Sequence, residues 1–360
     1  MERIKHNEIR LRVCGVHNCT QCSDFTYHHK MYTGAREAYE KDKSLVKEMA
    51  DLNPEFCQSH GYLSIDMQKV LLLPMLHGYK ACVFTKRVVC FNETFAPIKG
   101  WSTQIFKKPL AVVWHEGISG RNDEDVASSI IKCLSSFQMR DTKHITLWMD
   151  NCAGQNKNWT LISLLVGFVN RPDLSIKTIT LKYFTAGHTF MSADSYHKLV
   201  EDEIRSNENV EDWADLKNCF DANGTSIEMG IGDFIDCKNE LSHSTASLKQ
   251  KPLLKDVVVA KFQKGSLCWY FKNSHKDRVF QHHEFLKQKV SREIEKSPTA
   301  YFSTLPKKSI RGINKAKRDN ILKKLGPLLT DNRKTFYRNL MPVEGLSDLH
   351  SEDIHDVLDE

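Results

Sequence analysis

Long hydrophobic runs are missing from this chain. Across 360 residues the longest largely apolar stretch is residues 161–169 (LISLLVGFV), about half of the roughly 20 residues that a membrane-spanning helix needs. Met1 is followed by ERIKHNEIRLR, which lacks the apolar centre of a signal peptide. No membrane partner is expected, and the expected location is nuclear or cytoplasmic. The 11 cysteines are odd in number and scattered, which argues against a disulfide framework and for reduced thiols. Internal repeats are lacking as well, which excludes a solenoid or propeller. The chain does have core-forming material: 41% hydrophobic against 27% charged residues excludes wholesale disorder. Its length suits two domains or one large domain with appendages.

The formal net charge of +6 hides an asymmetry. Residues 307–338 hold 11 Lys/Arg and two acids, whereas residues 344–360 hold seven acids and no Lys/Arg. A basic segment of that density suits a polyanion such as DNA. It also suits a solvated helix neutralised by an acidic tail folded over it.

Apolar periodicity changes along the chain. A helical stretch at residues 34–50 is followed by strand-like runs at 63–73, 80–91 and 110–115. A helix capped by Asn122 or Asp123 comes next, then a strand at 144–149, a helix at 157–169, a strand at 175–184 and a helix opening near Ser192. Three meandering strands followed by α/β alternation predict a mixed sheet with helices packed against it. A strand pair at 257–262 and 267–271 and a basic helix at 313–325 follow. The boundaries read as 1–60 (Cys/His-rich), 61–206 (α/β core), 207–300 (small accessory α+β region), 301–343 (basic helical) and 344–360 (acidic tail).

Three carboxylates stand out. Asp66 interrupts an apolar strand, where a lone buried charge costs several kcal/mol unless it finds a partner, a metal or solvent. Asp150 ends the strand HITLWM, and the carboxyl ends of strands are where open α/β sheets place ligands. Asp194 opens the helix after the next strand. Converging, the three would hold two divalent ions, Mg²⁺ or Mn²⁺, for in-line attack on a phosphodiester. Asp150 and Asp194 are equally good first-turn helix residues.

The block DNCAGQNKN at residues 150–158, followed by GHT at 187–189 and Asp194, resembles a family of uncharacterised transposon-derived proteins with a ribonuclease H-like core. These are related to cut-and-paste transposases of the Asp-Asp-Asp/Glu type. SIDMQKVLLLP, WHE at 114–116 and the tail stretch from residue 289 to 329 extend the resemblance over residues 60–340. It implies an α/β fold: a ribonuclease H-like mixed five-stranded sheet flanked by helices, a small Cys/His-rich N-terminal region and a small α+β C-terminal extension. It further implies Asp66, Asp150 and Asp194 as the catalytic, metal-binding acids, with Glu201 a rival for the third place at two helical turns' distance.

His188 would either sit beside these acids and contact the scissile phosphate, or satisfy backbone groups in the Gly187 turn. Asn151, Gln155, Asn156 and Asn158 would cap a helix or contact substrate, and Lys157 at a helix start invites an anion. Lys315, Lys317, Arg318, Lys323 and Lys324 are expected to contact phosphate. Cys19 and Cys22 with Cys57 and His60 have the spacing of a Cys₃His zinc site, with Cys14, His17, His28 and His29 as competing ligands. No sequence-reading DNA module is evident, and a homo-oligomer stays open. Three functions follow: a metal-dependent DNA nuclease or strand-transfer enzyme, a catalytically silent nucleic-acid-binding descendant, and a zinc-stapled interaction module.

Overall fold

The computed structural model of the chain describes residues 20–98, 108–152, 154–237, 252–284, 286–296 and 306–349. A long helix, α1 (Thr20–Leu52), and the short α2 (Pro54–Ser59) lead into β1 (His60–Met67) and β2 (Leu71–Leu73). Residues 80–91 were expected as one strand. Instead Lys80–Val83 forms the helical turn α3, and β3 begins only at Val88 and runs to Pro97. β4 (Leu110–His115) is buried throughout, as a strand covered on both faces must be.

Alternation then follows: α4 (Asp123–Leu134), β5 (His144–Met149), α5 (Trp159–Val169), β6 (Thr178–Tyr183), α6 (Ser192–Ser206) and α7 (Trp213–Asn223). β7 (Thr225–Glu228), β8 (Val259–Gln263), β9 (Trp269–Lys272) and β10 (Gln281–His283) complete the strands of the main sheet. Helices α8 (Gln288–Lys296), α9 (Lys315–Lys324) and α10 (Asp331–Asn339) come last.

The main sheet has ten strands in the order β10-β9-β8-β6-β5-β1-β3-β4-β7, with β2 paired to β3. β1, β3 and β4 form an antiparallel meander, while β5 joins β1, and β6 joins β5, in parallel. The fold is therefore mixed α/β, a large mixed sheet flanked by helices. Five strands were expected; the segment after residue 206 adds β7 at one edge and β8, β9 and β10 at the other. It extends the same sheet where a small accessory region was expected.

α4 and α5 cover one face of the sheet, with Val126, Ile130, Leu161 and Leu165 buried. α6 and α7 cover the other, where Tyr196, Val200, Leu216 and Phe220 form the interface. α1 lies on the α6 side: Tyr39 meets Trp148 of β5 edge-on, and Asp42 accepts from Trp148 Nε1 at 2.8 Å. Because β4 runs parallel to β1, the carboxyl ends of β1, β4, β5 and β6 share one edge, and α4, α5 and α6 all begin there. Among the described residues, no helix is long and apolar enough to cross a membrane.

Candidate metal centre

That shared edge collects the acids. Ile65 pairs with Met149 across β1 and β5, so Asp66 and Asp150 are the next residues along two adjacent parallel strands. Asp194 sits in the first turn of α6, where its Oδ2 accepts from Met191 N–H at 2.8 Å. Ala193 N–H donates to Ser64 Oγ at 3.0 Å, which fixes the start of α6 against β1. Ser64 and Asp66 are two residues apart and point to this same face.

One turn further along α6, at the i+3 spacing that shares a helix face, stands His197. Ligand atoms of Asp66, Asp194 and His197 all lie within 4.8 Å of one another. His197 Nδ1 is 3.7 Å from Asp66 Oδ2. Burial, then the charges of Asp150 and Asp194, push the Asp66 carboxyl up to about 8, with a hydrogen bond from the Met67 backbone opposing them. Burial also raises Asp194, against the Met191 hydrogen bond and Arg36. The His197 ring is pushed down to about 4 by burial, partly offset by a hydrogen bond to the Asp66 backbone. At neutral pH the ring is therefore uncharged and faces the carboxyl groups of Asp66 and Asp194. Such a set fits a divalent cation, whose charge would relieve the crowding.

Asp150 is held differently. Its Oδ1 accepts from Cys152 N–H at 3.2 Å and from the amide of buried Asn156. Asn156 is in turn fixed by Tyr183, whose hydroxyl donates to its carbonyl at 2.9 Å. Asn158 caps α5 by accepting from Leu161 N–H at 2.8 Å, and Asn151 accepts from Lys157 Nζ at 2.6 Å. Lys157 is buried, also donates to Lys255 O at 3.1 Å, and is pushed down to about 8 by burial. Its place at the helix start is thus met by internal acceptors. Within the DNCAGQNKN block, Cys152 and Asn156 hold Asp150, while the remaining polar residues bond one another, Lys255 and the start of α5; Gln155 is half-buried, and its carbonyl accepts from Asn158 Nδ2.

Several expected site residues lie elsewhere. His188 packs against α1, with Nε2 3.1 Å from His28 Nε2 and its ring centroid 4.1 Å from that of Tyr32; His197 takes the position beside the acids. Glu201 pairs with Arg205 at 3.4 Å, leaving Asp194 as the third acid. Among the described residues the expected zinc ligands are not brought together. Cys22 lies near the start of α1 and Cys57 on α2, beyond the end of α1, and the 30 helical residues from Cys22 to the end of α1 span about 45 Å. Cys19 falls outside the described residues. Cys57 is buried, and His60 is stacked between Phe56 and His144.

Lys317 is not a phosphate contact either. It is 3% exposed and bonds Glu116 at 2.6 Å and Asp348 at 2.9 Å. Lys315 pairs with Glu344 and Arg318 with Asp319, while Lys323 and Lys324 are exposed.

Reading the sequence missed four further residues. Asn92 donates to Gln68 Oε1 at 2.9 Å, and Gln68 donates to the His197 carbonyl at 3.4 Å. Thr94 pairs directly across from Asp66 and so shares its face, whereas Glu93 points to the α4 side. Thr94 Oγ1, Asn92 Oδ1, His197 Nε2 and both Glu93 oxygens are buried without a hydrogen-bond partner. Burial, then the charges of Asp66 and Asp150, push Glu93 well above the ordinary carboxylate range, and Arg121 opposes them. Asp194-x₂-His197 was a readable helical pair; Glu93 in VVCFNETF carried no distinguishing signal.

Residues 113–277 match a family model described as a domain of unknown function (DUF7869). The matched stretch includes Asp150, Asp194 and His197 and leaves out Asp66. No curated protein and no solved structure matches the chain.

Proposed function

We propose that the chain is a ribonuclease H-like protein of transposase descent that cleaves or joins DNA phosphodiesters with divalent ions held by Asp66, Asp150 and Asp194. The observation that carries this reading is the gathering of ligand atoms of Asp66 and Asp194 within 4.8 Å of one another, with Asp150 on the adjoining strand end. The strand order β4-β3-β1-β5-β6, antiparallel then parallel, is the order such a core requires, and it supports the reading independently of the motifs. Bound divalent ions supply Lewis-acid activation of water and stabilisation of the leaving oxygen. The chain's own residues orient the reactants: Asn156 and the Cys152 amide hold Asp150 in one position, and the start of α6 does the same for Asp194.

The test is cleavage and strand transfer of end-labelled duplex and single-stranded DNA in Mg²⁺ and in Mn²⁺. Wild type should act on DNA, and Asp66→Asn and Asp150→Asn should each fall by at least about 10³-fold. DNA binding without cleavage in either metal would replace this reading with that of a silent nucleic-acid-binding descendant.

A further inference from the structure

The three acids of the site are not equivalent, because only two of them share ligand distance with an imidazole. We propose that Asp66, Asp194 and His197 form a mixed carboxylate–imidazole cation site that selects Mn²⁺ over Mg²⁺, with Asp150 outside this ligand set. This deepens the function proposed above and rests on it only for the identity of the acids. Two ligands at 2.0–2.2 Å from one ion stand about 3.0–3.5 Å apart in octahedral or tetrahedral geometry. One ring nitrogen of His197 and one carboxylate oxygen from each of Asp66 and Asp194 lie within 4.8 Å of one another, a set that side-chain rotation would close onto one ion.

A second observation is independent of the acids. His197 is 9% exposed, and its Nε2 is buried with no hydrogen-bond partner; Thr94 Oγ1, directly across from Asp66, is likewise unpartnered. Buried polar atoms are satisfied in folded proteins, so open polar capacity on both sides of Asp66 points to a ligand between the strand and α6. Gln68 donates to the His197 backbone carbonyl, which ties this turn of α6 to the strand side of the site. A nitrogen ligand disfavours Mg²⁺, which prefers oxygen and sheds water reluctantly, and favours first-row transition ions. Asp150, with Oδ1 engaged by Cys152 and Asn156, is left to complete a separate position.

The experiment uses the full chain without DNA and reads bound Mn²⁺ by electron paramagnetic resonance, with Mg²⁺ as competitor. Wild type should bind one Mn²⁺ that a tenfold excess of Mg²⁺ does not displace. Electron spin echo modulation of that ion should show a coordinated ¹⁴N, a signature that needs no variant. His197→Ala should lose the ¹⁴N signal and weaken Mn²⁺ by about 10–100-fold, and Asp150→Asn should keep both. Bound Mn²⁺ without ¹⁴N, or equal Mn²⁺ and Mg²⁺ affinity in wild type, overturns the proposal. DNA cleavage in Mg²⁺ without Mn²⁺ binding also removes this proposal, and leaves the proposed function standing. A ¹⁴N-ligated Mn²⁺ with no action on DNA does the reverse.

Discussion

Asp66 concentrates the cost of the site in one residue. In the metal-free protein its carboxyl is pushed up to about 8 by burial and by its acidic neighbours, against an ordinary value near 4. A raised carboxyl contributes most to stability below the unfolded-state value and loses that contribution as pH climbs toward the folded one. Asp66→Asn should therefore stabilise the metal-free protein by about 1–3 kcal/mol at pH 7. The gain should grow between pH 5 and pH 8 and disappear in saturating Mn²⁺. Thermal denaturation at those two pH values, with and without the ion, measures it; a gain that shrinks as pH rises would mean that Asp66 does not carry the strain. The residue was legible because an acid inside LSIDM breaks an apolar strand. Glu93 was not, because the run VVCFNETF gives no sign that its glutamate faces a helix without a hydrogen-bond partner.

At the scale of elements, legibility tracked apolar patterning. HITLWM was readable as a strand to the residue, because its apolar positions pair on two covered faces. α1 was read only in its C-terminal half: its buried face is the sparse set Ala35, Tyr39, Asp42 and Val46, too few apolar residues to mark where the helix starts. α9 is the clearest case of a pattern hidden by charge. Ile313, Lys317, Ile321 and Leu325 recur every four residues and are all buried, so a lysine occupies an apolar place in the stripe. It does so because Glu116, at the carboxyl end of β4, and Asp348 meet its ammonium group. Lys317→Met removes the closest cation from both carboxylates, leaving Arg311 at 3.5 Å from Glu116 and Lys86 at 3.1 Å from Asp348, and should cost about 2–3 kcal/mol. Lys323→Met, on the exposed side, should stay within about 0.5 kcal/mol. Urea unfolding of the two variants separates them, and equal midpoints would show that the Lys317 ion pairs contribute nothing to the docking of α9.

Across the whole molecule, the basic segment and the acids occupy one edge of the sheet, since α9 is pinned to Glu116 just past β4. A DNA strand entering the metal centre would run along that edge toward α9. The cations free to meet it are fewer than charge counting suggests. The start of the acidic tail already pairs with Lys315 through Glu344, and with Lys317 and Lys86 through Asp348, while Arg311 donates to Ser347 O at 2.7 Å. Lys308, Lys323, Lys324 and Arg338 remain exposed. Each phosphate they neutralise contributes about −0.9 to the slope of log affinity against log salt. Removing residues 350–360 takes away five further acids and keeps Asp348, the partner of Lys317. That truncation should tighten duplex binding and steepen its salt dependence. Reversing Lys308, Lys323, Lys324 and Arg338 to Glu should weaken binding in both backgrounds and flatten the slope by about 3–4, without changing the unfolding free energy by more than about 1 kcal/mol. Fluorescence anisotropy on a duplex at several salt concentrations reads all four proteins. Equal slopes among them would place the DNA path away from α9 and leave the basic segment as a docking surface for the chain's own tail.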